Sequence, residues 1–198
     1  MCKVQKITAT LTIAPTEVLV LDTNILLWTF YSKLTPKKVY QTKDYPAFVS
    51  TAIAQKNPII VTTFCLNEML HIIEKTEYDI YKSSKKTSIS LKNYRKIPAE
   101  RAKVKTEIDL ILKQLQAIPT LQIIKSKATR KTINRFAYYY DTHLADFFDF
   151  CLISFCNNHH YAVVSDDQDF NTPFVKVLCI QRIPWCRGNL TLHTILII

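Results

Sequence analysis

Three short runs of apolar residues, each unbroken, constrain this chain most: Val18-Leu19-Val20-Leu21, Ile59-Ile60-Val61 and Ala162-Val163-Val164. A strand with one face in water alternates apolar and polar side chains. A strand apolar at every position is covered on both faces, the usual condition of a parallel sheet between helical layers. Helical patterns fall between the runs. They cover Ile25 to Phe30, Asp44 to Gln55 before Pro58, the stretch after Thr62-Thr63 carrying Leu66, Met69, Leu70 and Ile73, and a long segment from Pro98 carrying Val104, Ile108, Ile111, Leu115 and Ile118. Leu121 to Ile124 reads as a strand, Thr129 to Tyr139 as a helix, Leu144 to Asn158 as a strongly apolar helix, and Val175 to Leu178 as another strand. Val4 to Ile13 and Leu190 to Ile198 alternate as strands, and the last is expected beside the first. Tyr81 to Lys96, rich in Lys and Ser, reads as a loop. Alternating strand and helix predicts an α/β fold with a mainly parallel sheet. A chain of 198 residues with 48% hydrophobic residues suffices for one domain, with a basic insertion at about 77–140.

Composition removes several classes of function. Gly188 is the only glycine, so no glycine-rich phosphate loop exists and no nucleotide cofactor is expected. No apolar run reaches membrane-spanning length, and no secretory signal is expected because Met1 to Ala14 alternates with polar residues. The six cysteines form no CxxC pair, which suits free, mostly buried thiols in a reducing cytoplasm. Cys156, His159 and His160 lack a second ligand cluster and read as a core thiol beside surface histidines. The net charge of +10 favours an anionic partner, nucleic acid foremost.

Ligand sites of open parallel sheets form at the carboxyl ends of strands. Asp22 directly follows the first buried run, and Asp166, Asp167 and Asp169 follow the third. Glu68 lies early in the helix after the second run. Asp146 and Asp149, spaced i, i+3, lie near the start of the apolar helix before the third. Singly, Asp22 would serve as a helix cap, Glu68 as a solvated residue, Asp167 as a turn residue and Asp146 as part of an acidic helix start. Together they would repel one another, and a divalent cation relieves that conflict. Oxygen ligands without His or Cys suit Mg²⁺ or Mn²⁺, which can activate water and neutralise charge on a phosphate.

These residues resemble the PIN-domain family, the fold of VapC-type toxin ribonucleases. Val18 to Asn24 is similar to its opening strand, which ends in Asp-Thr-Asn, and Val61 to Leu70 to its second block with an early helical glutamate. Asp149 to Phe170 is similar to its closing block, where Ser165-Asp166-Asp167-Gln168-Asp169-Phe170 matches the motif and the spacing to Ser165 selects Asp149 over Asp146. The segment from about Glu77 to Tyr140 is longer and more basic than in compact toxins, Phe150, Phe155 and Asn157 replace small residues, and His159-His160 stands where the family has glycine. The resemblance implies a three-layer helix-sheet-helix fold and metal-dependent endoribonuclease activity. Asp22, Glu68, Asp149 and Asp167 would bind Mg²⁺ or Mn²⁺, with Asp146 and Asp169 auxiliary and Asn24 and Ser165 orienting them. Asp166 and Asp167 can exchange roles. A small antitoxin protein and a homodimer are partners the resemblance suggests.

RNA is the expected substrate. Lys85, Lys86, Arg95 and Lys96, interleaved with Tyr81 and Tyr94, and a second cluster holding Lys125, Lys127, Arg130, Lys131 and Arg135, are the candidate phosphate contacts. A non-catalytic PIN-like RNA-binding module and a PIN-like nuclease acting on DNA are the alternatives.

Overall fold

The buried runs become adjacent strands. The computed structural model describes residues 3–6, 13–140, 146–170 and 176–179. It contains strands β1 (Lys3–Lys6), β2 (Leu19–Leu21), β3 (Ile59–Thr62), β4 (Leu121–Ile124), β5 (Ala162–Val164) and β6 (Lys176–Cys179). Its helices are α1 (Thr23–Phe30), α2 (Val39–Ala54), α3 (Thr63–Lys85), α4 (Leu91–Tyr94), α5 (Pro98–Gln116), α6 (Arg130–Tyr140) and α7 (Phe147–His159), and a 3₁₀ turn covers Gln168–Phe170. The six strands lie in the order β1-β6-β5-β2-β3-β4, and every pairing is parallel. Strands β2, β3 and β5 have neighbours on both sides and are buried throughout, as their unbroken apolar character requires. Edge strand β4 is part-exposed at all four positions.

Right-handed crossovers turn this order into layers. The chain steps from β2 to β3 to β4 in one direction, which puts α1 to α5 on one face. It then returns to β5 through α6 and α7, which puts these two on the other face. The packing agrees: α1 lies on α2 and α3, α3 on α5, and α6 on α7. The result is the helix-sheet-helix arrangement with a parallel sheet that the sequence predicted.

Several boundaries differ from expectation. Helix α2 begins at Val39 rather than Asp44 and carries Pro46 inside it. The Gln41 side chain accepts the backbone N–H groups of Lys37 and Lys38, which holds that early start. The stretch expected as a loop from Tyr81 is helical to Lys85 and again over α4. Its packing is aromatic: the buried Tyr94 ring lies 5.5 Å from Tyr78 and 5.4 Å from Tyr81, so aliphatic periodicity is missing where helix persists. Part of the middle segment belongs to the sheet, since β4 pairs along β3. His160 takes the left-handed cap of α7 at φ 58°, a position that favours glycine. Cys156 is buried, and the exposed His159 ring stacks on Tyr161. The expected strand at 190–198 and the extension of β1 across 7–12 lie outside the described residues.

Candidate functional site at the carboxyl edge of the sheet

The direction of travel reverses between β2 and β5. From β2 the chain proceeds to β3, and from β5 to β6 on the other side, so a crevice opens above their carboxyl ends. Asp22 ends β2 there, and its backbone N–H donates to the Val164 carbonyl at 3.1 Å. Its carboxylate also caps α1, accepting the Thr23 N–H at Oδ1 (2.7 Å). The capping role and the strand-end position therefore coincide in one residue.

Two hydroxyls bind the acids into one structure. Ser165 Oγ donates to Asp22 Oδ2 at 2.7 Å and accepts the Asp167 N–H at 3.0 Å. Thr23 Oγ1 donates to Glu68 Oε2 at 2.7 Å, reaching from α1 to α3. Ser165, expected to orient the acids, makes these two bonds. Thr23 was not singled out in the sequence, although a hydroxyl directly after the strand-end acid was a usable signal for its bond to Glu68. Asn24 stands beside Asp167 and Asp169 in the wall of an open cleft of about 480 Å³, with Trp28, Thr35, Lys37, Gln41 and Asp166 completing it.

The three aspartates of the closing loop differ in their partners. Asp166 is held by the Tyr45 hydroxyl (2.8 Å), the Tyr40 hydroxyl (2.9 Å) and Gln41 Nε2 (3.3 Å), which ties the loop to α2. Asp167 instead accepts the Asp169 N–H at Oδ1 and acts electrostatically on Asp22 and Asp149. Asp146 is the N-cap of α7 rather than a residue within it, and its carboxylate accepts the N–H groups of Phe148 (2.8 Å) and Asp149 (2.9 Å). Asp149 stands in the first turn.

Electrostatics shows that these groups sense one another. Burial pushes the Asp22 carboxyl up to about 7; the Ser165 and Thr23 hydrogen bonds oppose the rise, while Glu68 and Asp167 add to it. Asp149 is pushed up to about 8, chiefly by burial and then by Asp146, Asp22 and Asp167. Asp169 is also raised, by burial and then by Asp167 and Asp146. Acids from four separate segments thus stand about one edge of the sheet, where Asp22 is buried and Asp149 half-buried. Among the described residues, no three His, Cys, Asp or Glu side chains are drawn close enough to hold an ion as they stand. Glu68 is turned to the Thr23 hydroxyl and Asp22 to Ser165, so both carboxylates are engaged by protein donors.

The two basic clusters differ in where they stand relative to the acids. Helix α3 starts at the site and runs 23 residues without a break, so Lys85 lies about 25 Å from Glu68 along the axis. Lys85 and Lys86 therefore lie far from the acids, whereas Arg95 and Lys96 fold back beside α3 only about 9 Å of helix axis beyond Glu68. There Arg95 is engaged by Glu74 at 2.6 and 2.5 Å, and Tyr94 is buried. Lys125 and Lys127, by contrast, follow β4 at the carboxyl edge, and Arg130 and Lys131 open α6 just after them. Among the described residues, no helix is long and apolar enough to cross a membrane.

No protein-family model matches the chain, and no curated protein matches it. Among solved structures, a chain in the crystal structure of VapBC2 from Rickettsia felis bound to a DNA fragment from their promoter is similar. The match has a TM-score of 0.47 at 14% identity and covers 81% of this chain and 96% of that one. PAE2754 from Pyrobaculum aerophilum is similar with a TM-score of 0.45 at 11% identity, covering 84% of this chain and 85% of that one.

Proposed function

We propose that this chain is a PIN-like, Mg²⁺- or Mn²⁺-dependent endoribonuclease. The observation that carries the reading is the gathering of Asp22, Asp149 and Asp167, from three segments, at the switch point of a parallel sheet, with Ser165 joining Asp22 to the Asp167 backbone. Two buried-edge carboxyls raised to about 7 and about 8 form a site that a divalent cation would relieve. The donors are all carboxylate oxygens, which fits a hard cation. Asp22, Asp149 and Asp167 would hold it, with Glu68 closing the side toward α3 and Asp146 and Asp169 adding negative charge. Each Asp22 oxygen that accepts one protein hydrogen bond retains a second lone pair for a ligand.

Bound there, the cation would supply Lewis-acid charge and lower the pKa of a water. The chain's own residues do the rest. Ser165 and Thr23 fix the acids from opposite sides, and Asn24 lines the approach. Water is the nucleophile: its oxygen bonds to phosphorus, the phosphorus–oxygen bond to the departing strand breaks, and the departing oxygen takes a proton. No covalent intermediate with the protein forms. Exposed Lys125, Lys127, Arg130 and Lys131 supply phosphate contacts near the site. A toxin role, with a small antitoxin protein covering the acids and a homodimeric assembly, belongs to the same reading.

The test is cleavage of single-stranded RNA and DNA in parallel, with Mg²⁺, with Mn²⁺ and with EDTA. RNA cutting that requires the metal and disappears in Asp22→Asn and in Asp149→Asn is the expected result. Cutting that survives EDTA or either substitution contradicts the mechanism. Preference for DNA moves the substrate class, and tight RNA binding without cutting under any divalent ion identifies a binding module instead.

A further inference from the structure

Phe64 and Phe148 are the second residues of α3 and α7, helices on opposite faces of the sheet. Both helices begin at the carboxyl edge, so their first turns meet above it. The two rings pack edge to face with centroids 5.3 Å apart. Phe64 precedes Glu68 by one helical turn, and Phe148 adjoins Asp149. Phe148 is nevertheless 50% exposed. Its backing is firm: Phe147 stands 6.0 Å from it, and Phe136 of α6 packs on Phe147 at 5.1 Å and on Phe150 at 5.6 Å. A phenyl ring supported this way and open on one side is a fixed apolar surface beside the acids.

Positive charge adjoins it. Thr63 Oγ1 accepts the Ser126 N–H at 3.0 Å, which holds the loop carrying Lys125 and Lys127 against the start of α3, next to Phe64. Both lysines are exposed, as are Arg130, Lys131 and Arg135 on α6. Among the described residues, none of these five cations is in an ion pair.

We propose that the Phe64–Phe148 pair is a stacking platform for one unpaired base of a single-stranded nucleic acid, with the Lys125–Lys127 loop gripping the adjoining phosphates. The occupant follows from the combination. An aromatic face suits a base of any sequence, the flanking cations suit its backbone, and the acids beside it suit the phosphodiester. One half-exposed ring and its neighbour match a base in area and fall far short of the roughly 800 Å² per partner of a standard protein interface. The base must be unpaired, because a ring inside a duplex offers no face. This platform deepens the nuclease reading by naming its substrate as single-stranded, and rests on it for the role of the acids.

The test uses single-stranded RNA carrying one 2-aminopurine, titrated in EDTA into the full-length Asp22→Asn protein so that no cutting intervenes. Fluorescence quenching on binding is expected, with no quenching from the same label inside a duplex. Adding Phe148→Ala should remove the quenching and weaken binding roughly 5- to 100-fold, the loss of one stacked base. Phe148→Trp, which keeps an aromatic face, should restore both. Equal quenching and affinity in the Phe148→Ala protein overturn the platform, as does equal quenching by a duplex. Quenching that depends on Phe148 while the wild-type chain cuts nothing under any divalent ion keeps the platform and removes the nuclease. Cutting by wild type with Phe148→Ala unaffected does the reverse.

Discussion

Helix α3 joins two regions that the composition alone would rank alike, since both are rich in lysine and tyrosine or phenylalanine. At its start, acids gather around the buried Asp22, the nearby cations of the Lys125–Lys127 loop and α6 are in no ion pair among the described residues, and a supported ring is exposed. Toward its far end the charges answer each other. Glu77, 6% exposed, accepts the Tyr31 hydroxyl at 2.9 Å and Lys33 at 2.7 Å, and Lys33 also pairs with Glu107 at 2.7 Å. Arg95 pairs with Glu74, Lys103 with Glu100 and Lys105 with Asp109. Tyr94 is used in packing. Satisfied charge of this kind is how a polar lobe attaches to a sheet; charge left in conflict beside an exposed ring is what the proposed binding site rests on. Exposed Lys85, Lys86, Lys92 and Lys96 of the lobe are also in no ion pair among the described residues, so the difference lies in position beside the acids and the exposed ring, not in pairing or in the number of basic residues.

Substitutions can break this contrast, and the acids should give the largest effect. Asp149→Asn should lower cleavage by more than about 100-fold, beyond the loss usual for a residue that only orients a ligand. The same variant changes how stability depends on pH. Between its ordinary value of 3.8 and about 8, Asp149 keeps a proton when folded and loses it when unfolded. The contribution of Asp149 to the stability of the metal-free protein should therefore be full below that window and be lost as pH rises through it. Thermal melts of Asp149→Asn in EDTA should show a flatter decline, and a steeper one would contradict the raised carboxyl.

Charge reversal separates the two basic regions. Lys125→Glu with Lys127→Glu should weaken single-stranded RNA binding and reduce the salt slope of log affinity by about 0.7 for each phosphate no longer neutralised. Lys85→Glu with Lys86→Glu, about 25 Å away along α3, should leave that slope close to wild type. Equal effects from the two pairs would mean that nucleic acid follows α3 to its far end. The smallest change is expected from the lobe's anchor. Glu77→Gln leaves Lys33 and Tyr31 poorly matched and should cost about 1–3 kcal/mol of stability in denaturant unfolding, with cleavage by the folded fraction unchanged.

The parts of this organisation that were legible in the sequence are those written locally. The unbroken run Leu19 to Leu21 announces a covered strand, and the acid after it must stand at the carboxyl edge. Ser165 to Phe170 carries the same information for β5. What escaped depends on packing between distant segments. Asp166 and Asp167 are neighbours with the same side chain, and only Tyr40, Gln41 and Tyr45 of α2 distinguish them. The lobe at 81–96 was read as loop because tyrosines supply its core. The Phe64–Phe148 pair joins helices from opposite layers, a meeting set by the crossovers. Nor could periodicity show that α3 continues far enough to carry Lys85 away from the acids.

The central claim is that the switch-point carboxylates are a cation site. A crystal of the wild-type chain soaked in Mn²⁺ and measured at the manganese absorption edge tests it most directly. An anomalous peak bounded by Asp22, Asp149 and Asp167, absent from an Asp149→Asn crystal, is the result expected. A crevice with no peak at millimolar Mn²⁺, or manganese bound only elsewhere on the surface, would contradict it.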